Sequence, residues 1–270
     1  MCFRRANERL YRNLKSLGPE IKMKECEIKV WSRKKVFRYL FNQFWDLEKL
    51  KGDFRVMHRA LKLRATTITE KNIDEVFPGI EKCEINFMYS SQAGGSDIAD
   101  IVALAQISKF LERRRIFEIG TFRGYTTYHL ALNSSDGSHV YTLDLPADQI
   151  SNAKLEITHM ELIKKPKSGE WFLNTKVSPK ITQLYGDSAA FDYSEYESKM
   201  DLVYVDGGHS YEYAMEDSLT ARRLVNTDGI IVWHDYPTWP GVWSCLEKLQ
   251  LQWPGHFVWI KGTALVLWHM

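Results

Sequence analysis

A chain of 270 residues that is 44% hydrophobic and 26% charged can bury one large core, or one core with a smaller attachment. No apolar run approaches the roughly 20 residues of a membrane span. The opening Met1-Cys-Phe-Arg-Arg-Ala-Asn-Glu8 lacks the apolar centre of a secretion signal, so the expected setting is the cytoplasm. The net charge of +2 conceals an asymmetry: residues 1–70 carry 18 Lys+Arg against 8 Asp+Glu, a local +10 that leaves −8 for the remainder. Cys2, Cys26, Cys83 and Cys245 are scattered, with no C-x-x-C pair and no histidine at zinc-finger spacing, and read as ordinary thiols.

The basic segment is helix-prone. Phe37, Leu40, Phe41, Phe44, Leu47, Leu50, Phe54, Met57 and Leu61 recur at helical spacing, with Gly52 as a break. Arg33, Lys34, Lys35, Arg38, Lys49 and Lys51 lie among the aromatics, a mixture that suits an anionic membrane surface or nucleic acid. The stripe equally suits a cap packed on the rest of the chain or on a second copy in a homodimer, and this reading is favoured because charge runs usually solvate a face. Asn72 to Gly95 reads as a connector ending in the turn residues Ser90, Ser91, Gly94 and Gly95. Ser96 then caps a helix whose buried side is Ile98, Ile101, Val102, Leu104, Ala105 and Ile107.

The chain is organised around Arg115 to Leu132, a buried strand that runs through a glycine turn into a helix. Ile116, Phe117 and Ile119 are the strand formers, Glu118 to Gly124 is the turn, and Tyr125 opens the helix. Gly120 and Gly124 let the backbone bend sharply and let a ligand lie against it. The free amides of the following helix face whatever anion sits there. A second strand, His139 to Leu145, ends in Asp144, where an acid can grip ribose hydroxyls. The irregular stretch Pro146 to Lys180 follows, and no site is assigned to it. A third strand, Ile181 to Tyr185, meets Asp187-Ser188; a fourth, Met200 to Asp206, meets Gly207-Gly-His-Ser-Tyr211. Ser210 to Val225 is a helix closed by the Asn226-Thr-Asp-Gly229 turn. A fifth strand, Ile230 to Trp233, delivers His234-Asp235-Tyr236, and Pro240 opens another helix. His256 to Lys261 and Thr263 to Trp268 form a hairpin joined at Gly262.

The string Glu118-Ile-Gly120-Thr-Phe-Arg-Gly124, followed by an acid at the end of the next strand, resembles class I S-adenosylmethionine-dependent methyltransferases. The strings VDGGHSYE and WHDY resemble bacterial methyltransferases of sugar and natural-product tailoring. The resemblance implies an α/β, Rossmann-like sheet of seven strands, the last antiparallel, flanked by helices over residues 73–270. Residues 1–72 form a basic helical N-terminal extension that it does not cover. It further implies that Glu118, Gly120, Thr121, Gly124 and Thr126 hold the amino-acid end of S-adenosyl-L-methionine, with Asp144 on the ribose and Asp206 also in the cofactor-binding set. Asp187 and Ser188 stand near adenine in that scheme, although both also suit an ordinary helix cap.

Asp206 and the pair His234-Asp235 end consecutive strands of the inferred sheet, so they should lie side by side above it. Two carboxylates and an imidazole form a candidate divalent-metal site. The spacing is similar to catechol-type and sugar O-methyltransferases that use magnesium; His234 in place of an acid shifts the preference toward manganese, iron or zinc. The competing reading is that these are strand-end acids satisfied by backbone amides. His209, three residues after Asp206, is placed where the catechol-type enzymes put their base, and it either takes a hydroxyl proton or only bonds within its loop. Asp206 and His209 are thus the expected catalytic pair. The expected reaction is methyl transfer to a small hydroxylated acceptor, a sugar or natural product. The alternatives are metal-independent methylation of nitrogen or RNA, and a cofactor-binding module that has lost catalysis and serves as an interaction partner.

Overall fold

A computed structural model describes residues 66–90, 96–157, 165 and 167–270. The basic amphipathic stretch, Cys2, Cys26 and the Gly94-Gly95 turn lie outside the described residues. Cys83 and Cys245 are free thiols. Among the described residues no helix is long and apolar enough to cross a membrane.

Among the described residues, eight strands form one sheet. They are β1 (Thr69–Lys71), β2 (Arg115–Ile119), β3 (His139–Asp144), β4 (Ile181–Tyr185), β5 (Met200–Val205), β6 (Val225–Trp233), β7 (His256–Ile260) and β8 (Val266–His269). Their order is β1-β7-β8-β6-β5-β2-β3-β4. All neighbouring pairs are parallel except those made by β8, which runs antiparallel between β6 and β7. The seven expected strands are present with the last one antiparallel, and the short β1 adds an eighth at the edge by pairing with β7. The sheet therefore takes in Thr69–Lys71, which the sequence places in the extension.

The helices are α1 (Ile73–Val76), α2 (Ile98–Phe110), α3 (Tyr125–Asn133), α4 (Tyr211–Leu224) and α5 (Pro240–Gln252). Central strands must cover both faces, so their sequences are continuous apolar runs with the period of two hidden inside. Phe117, Val203, Ile231 and Trp233 join α4 and α5 residues Ala221, Leu224, Cys245 and Leu246 in one core. Ile116, Leu202, Tyr204 and Val232 join Leu104 and Ile107 of α2 and Leu130 and Ala131 of α3 in the other. Each such fully buried aliphatic or aromatic side chain stabilises the fold by about 1.5–3 kcal/mol. Trp233 keeps its polar edge satisfied inside the core, where Nε1–H donates to Ser218 Oγ at 2.9 Å.

Three local expectations are corrected. Asp97, not Ser96, is the N-cap residue of α2, and Ile98 is exposed while the acid Asp100 is buried on the same helix. Helix α4 does begin at a Ser210 cap, whose Oγ accepts from Tyr213 N at 3.2 Å. The Asn226 to Gly229 stretch is not a free turn: it is absorbed into the start of β6 through a register shift opposite Met200–Leu202. Gly229 permits this, since a Cβ there would fall 2.4 Å from Val225 and 2.9 Å from the Met200 carbonyl oxygen.

Candidate active site

The carboxyl ends of β2, β3, β5 and β6 converge on one edge of the sheet, the edge on which open α/β folds place ligands. The glycine turn lies at its centre and is braced on two sides. Gly120 has φ +99°, and a Cβ on it would sit 2.0 Å from the Asp206 carbonyl oxygen. Gly124 has φ +81° and is closed in by the Phe172 ring and Gly169 Cα, both under 3 Å from where a Cβ would stand. No other residue fits either place. The outer side of the turn is strapped by 169–172: Gly169 N donates to Phe122 O at 3.1 Å, Trp171 N to Arg123 O at 3.0 Å, and Arg123 pairs with Glu170.

Glu118 lies under this turn and is fully buried. Its Oε2 accepts from Thr127 and, at 2.6 Å, from Thr142, whereas Oε1 has no hydrogen-bond partner. Burial pushes the carboxyl up to about 8, against the two hydroxyls that lower it, with Asp206 and Asp144 adding to the rise. Thr121 continues the network: its hydroxyl lies 2.6 Å from Thr142 Oγ1 and accepts from Gln183 Nε2 at 3.0 Å. Thr126 stands half-buried in the first turn of α3. Its neighbour Thr127, for which the sequence predicts no role, is the threonine on Glu118.

Asp144 ends β3 as expected, and its carboxylate is engaged on both oxygens. Phe122 N donates to Oδ1 at 3.2 Å, while Oδ2 receives Ser168 Oγ and Lys165 Nζ, the latter at 2.6 Å. Both partners come from the irregular stretch between β3 and β4, in which the sequence marks no site. Asp187 accepts from Lys154 N at 2.6 Å, Ala189 N at 3.0 Å and Tyr213 OH at 3.1 Å. The Ser188 carbonyl accepts from Tyr193 OH at 3.0 Å. Nearby Asp217, a buried α4 acid, is held up at about 7 chiefly by burial, with the Ser188 hydroxyl pulling the other way.

Asp206, His209, His234 and Asp235 do come together, in an arrangement that differs from the expected one at His234. Both ring nitrogens of His234 face carboxylates: Nε2 is 3.1 Å from Asp100 Oδ2, and Nδ1 is 3.0 Å from Asp206 Oδ1 and 3.3 Å from Asp235 Oδ1. An imidazole so engaged offers an ion no lone pair. Burial works against its charged form, but Asp206, Asp235 and Asp100 outweigh it and hold the ring well above its ordinary pKa. The third donor beside the two acids is His209. One ligand atom from each of Asp206, His209 and Asp235 lies within 4.8 Å of the others, the set that could hold a metal ion among the described residues.

His209 Nε2 is 2.7 Å from Asp235 Oδ2, and its ring stacks on Trp239 with centroids 4.6 Å apart and planes 9° off parallel. Burial lowers its pKa, yet the Asp235 hydrogen bond and the charges of Asp235 and Asp206 more than reverse this, with His234 opposing, and the net shift is upward. Burial alone would raise the Asp235 carboxyl; His234 and His209 instead hold it below the usual carboxylate range. Asp206 also receives Tyr204 OH on Oδ2 at 3.2 Å.

Residues 117–236 match a family model described as a methyltransferase domain. That stretch is a methyltransferase domain, and it carries the glycine turn and the strand-end acids through which the sequence resembles the class I S-adenosylmethionine-dependent enzymes. No curated protein matches the chain in sequence. Among solved structures, the chain is similar to the O-methyltransferase TomG from Streptomyces achromogenes, involved in tomaymycin synthesis and in complex with SAM. That pair shares 15% identity over 78% of this chain and 94% of the other, with a TM-score of 0.46. The SAH-bound methyltransferase PaMTH1 of Podospora anserina shares 14% identity over 79% and 94%, with a TM-score of 0.47. An O-methyltransferase from Bacillus cereus in complex with SAH shares 14% identity over 79% and 97%, with a TM-score of 0.43.

Proposed function

We propose that the chain transfers the methyl group of S-adenosyl-L-methionine to the oxygen of a small hydroxylated acceptor, a sugar or natural product, with His209 as general base. The observation that carries this reading is the His209–Asp235 contact of 2.7 Å at the mouth of the sheet edge, next to the glycine turn. An imidazole oriented by a carboxylate is the arrangement that removes a hydroxyl proton and then stabilises the imidazolium. The reaction itself is an in-line displacement: the acceptor oxygen bonds to the methyl carbon as the carbon–sulfur bond breaks, and the hydroxyl proton passes to His209. The chain must align the oxygen and remove that proton, since the sulfonium already makes the carbon electrophilic.

The cofactor fits what the turn presents. Glu118 Oε1 is a buried oxygen without a partner, suited to an ammonium group, and Gly120 to Thr126 supplies the backbone around it. Asp144 is the acid for the ribose hydroxyls, and Asp187 and Ser188 lie on the adenine side. Asp206, Asp235 and His209 are also the set that could hold a divalent ion, magnesium or manganese, but an ion on His209 would take up the ring nitrogen, so a metal there is an alternative to the His209 base and not its partner. Such an ion would lower the acceptor's pKa and fix its oxygen.

The test is calorimetry with S-adenosylhomocysteine on the wild type and Asp144→Ala, with NAD as control, followed by turnover on a panel of hydroxylated acceptors with and without a chelator. Micromolar binding, around −8 kcal/mol, lost in Asp144→Ala and absent for NAD, together with turnover abolished in His209→Ala, is expected. Absence of cofactor binding would overturn the reading. Binding without turnover on any acceptor would leave a cofactor-binding interaction module.

A further inference from the structure

Asp100 is an acid on the apolar side of α2, and only 4% of it is exposed. A carboxylate is rarely buried so completely unless it is paired. Its partners are not those of a helix cap. Oδ1 accepts from Ala264 N, on the connection between β7 and β8, at 2.7 Å, and Oδ2 faces His234 Nε2 at 3.1 Å. His234 in turn faces Oδ1 of both Asp206 and Asp235, and Asp235 passes the contact on to His209 through Oδ2. One hydrogen-bonded chain thus runs from α2 through the ends of β6 and β5 to the imidazole at the mouth of the site.

The geometry explains why such a chain is needed. Asp206 and Asp235 end adjacent parallel strands, and two carboxylates sharing so small a space repel unless a donor stands between them. His234 Nδ1 is that donor. A ring that can rotate about χ2 would offer its N–H to one acid or turn away from both. The bond at the far nitrogen removes this freedom, as the outer partner does for a metal-bound or catalytic histidine.

We propose that Asp100 is a positioning residue of the active site: by accepting from His234 Nε2 and Ala264 N together it locks the His234 ring, so that Nδ1 clamps Asp206 and Asp235 and keeps Asp235 on His209. Its kinetic consequence rests on the methyltransferase reading given above; its structural consequence does not.

The experiment compares the wild-type full chain with Asp100→Asn and Asp100→Ala. An asparagine has the same shape but only one acceptor, so it cannot serve both Ala264 N and His234 Nε2. Long-range nitrogen–proton NMR of the histidine rings should show His234 Nε2 carrying a proton in the wild type. In either variant the His209 and His234 ring signals should shift, while S-adenosylhomocysteine affinity stays within about threefold of wild type. With an acceptor in hand, kcat should fall about tenfold or more with the cofactor KM little changed. Two results would each overturn the proposal: a wild-type His234 whose Nε2 lacks a proton at neutral pH, or ring signals unmoved in a folded Asp100→Asn. The first is read on the wild type alone, so a variant that fails to fold does not rescue the idea. Turnover absent in the wild type with all ring signals as expected would count against the methyltransferase reading and leave the clamp standing.

Discussion

Glu118 supplies the most quantitative consequence of the site. Its carboxyl is pushed up to about 8 by burial, and Oε1 has no partner. At pH 7, one unit below that value, roughly 0.9 of the molecules carry a proton there. If the ammonium of the cofactor docks against Oε1, it favours the ionised form, and binding must expel that proton. The cost of ionising Glu118 is about 1.4 kcal/mol at pH 7 and about twice that at pH 6. The sign follows directly: the group must lose a proton to bind, so affinity rises with pH, about tenfold per unit below 8, and levels off above it. Calorimetric titration of S-adenosylhomocysteine in buffers of different ionisation enthalpy reads the proton count. Glu118→Gln keeps the hydrogen bonding of Oε2 from Thr127 and Thr142 on its amide oxygen but cannot ionise. The difference between wild type and variant, about 0.9 proton at pH 7, therefore cancels any proton exchanged by the cofactor itself. An equal proton count in the two proteins, with the same pH slope of affinity, would refute the assignment of Glu118 to the ammonium and leave it as an interior acid of the turn.

Three further outcomes can be checked with the same material. Gly120→Ala places a methyl 2.0 Å from the Asp206 carbonyl at φ +99°, so it should cost more than the about 1–3 kcal/mol of backbone strain alone and abolish cofactor binding; Gly137→Ala, at φ +79° with open space around it, should show the strain without the clash, and equal urea midpoints for the two would contradict this. Lys165→Met leaves Asp144 buried without its cation, which should lower the melting temperature of the free protein yet enlarge the rise on adding S-adenosylhomocysteine, because ribose hydroxyls no longer displace an ion pair; an unchanged rise would mean that Asp144 does not meet the ribose. The rate should increase with pH through a limb above the ordinary histidine value, since His209 must be neutral to act and its pKa is raised; Asp235→Asn removes the hydrogen bond and charge that raise it, so the limb should move to lower pH, and a limb that stays in place would exclude His209 as the titrating base.

The parts of the fold that were legible are those set by short-range patterns. Apolar runs bounded by glycine and acid mark β2 through β6, and Gly120 and Gly124 are readable because a positive φ has a residue type of its own. Strand-end acids are readable because a strand delivers its last residue to a known edge. Helix phase was harder: Thr126 and Thr127 differ by about 100° around α3, and the buried Leu130 and Ala131 at three and four positions onward select Thr127. Asp100 carried a comparable signal, an acid in register with Leu104 on an apolar face. Its partner lies 134 residues away, and nothing local names it. Lys165 and Ser168 sit in a stretch without periodicity, so their approach to Asp144 is a tertiary fact. The different arrangement at His234 has the same origin: residue type suggests a ligand, and only the approach of α2 reveals that both nitrogens face carboxylates.

The arrangement of charge explains why so many acids can share one sheet edge. Asp100, Asp144, Asp206 and Asp235 are answered by Lys165, His209 and His234, while Glu118 holds a proton at neutral pH. The balance that remains is negative, and the proposed cofactor arrives with a sulfonium and an ammonium, charges that such an edge attracts and that a dinucleotide's phosphates do not carry. In the proposed transfer the sulfur would lose its charge and His209 would gain a proton, so the positive charge would be relocated within the site rather than lost from it. The carboxylate that benefits is Asp235, already 2.7 Å from His209. An electrostatic environment fixed before the reaction, and matched to where the charge finishes, lowers the barrier without reorganisation. The clamp through His234 and Asp100 holds that carboxylate in place, which makes the site depend on a residue of α2 that reaches His209 only through His234 and Asp235.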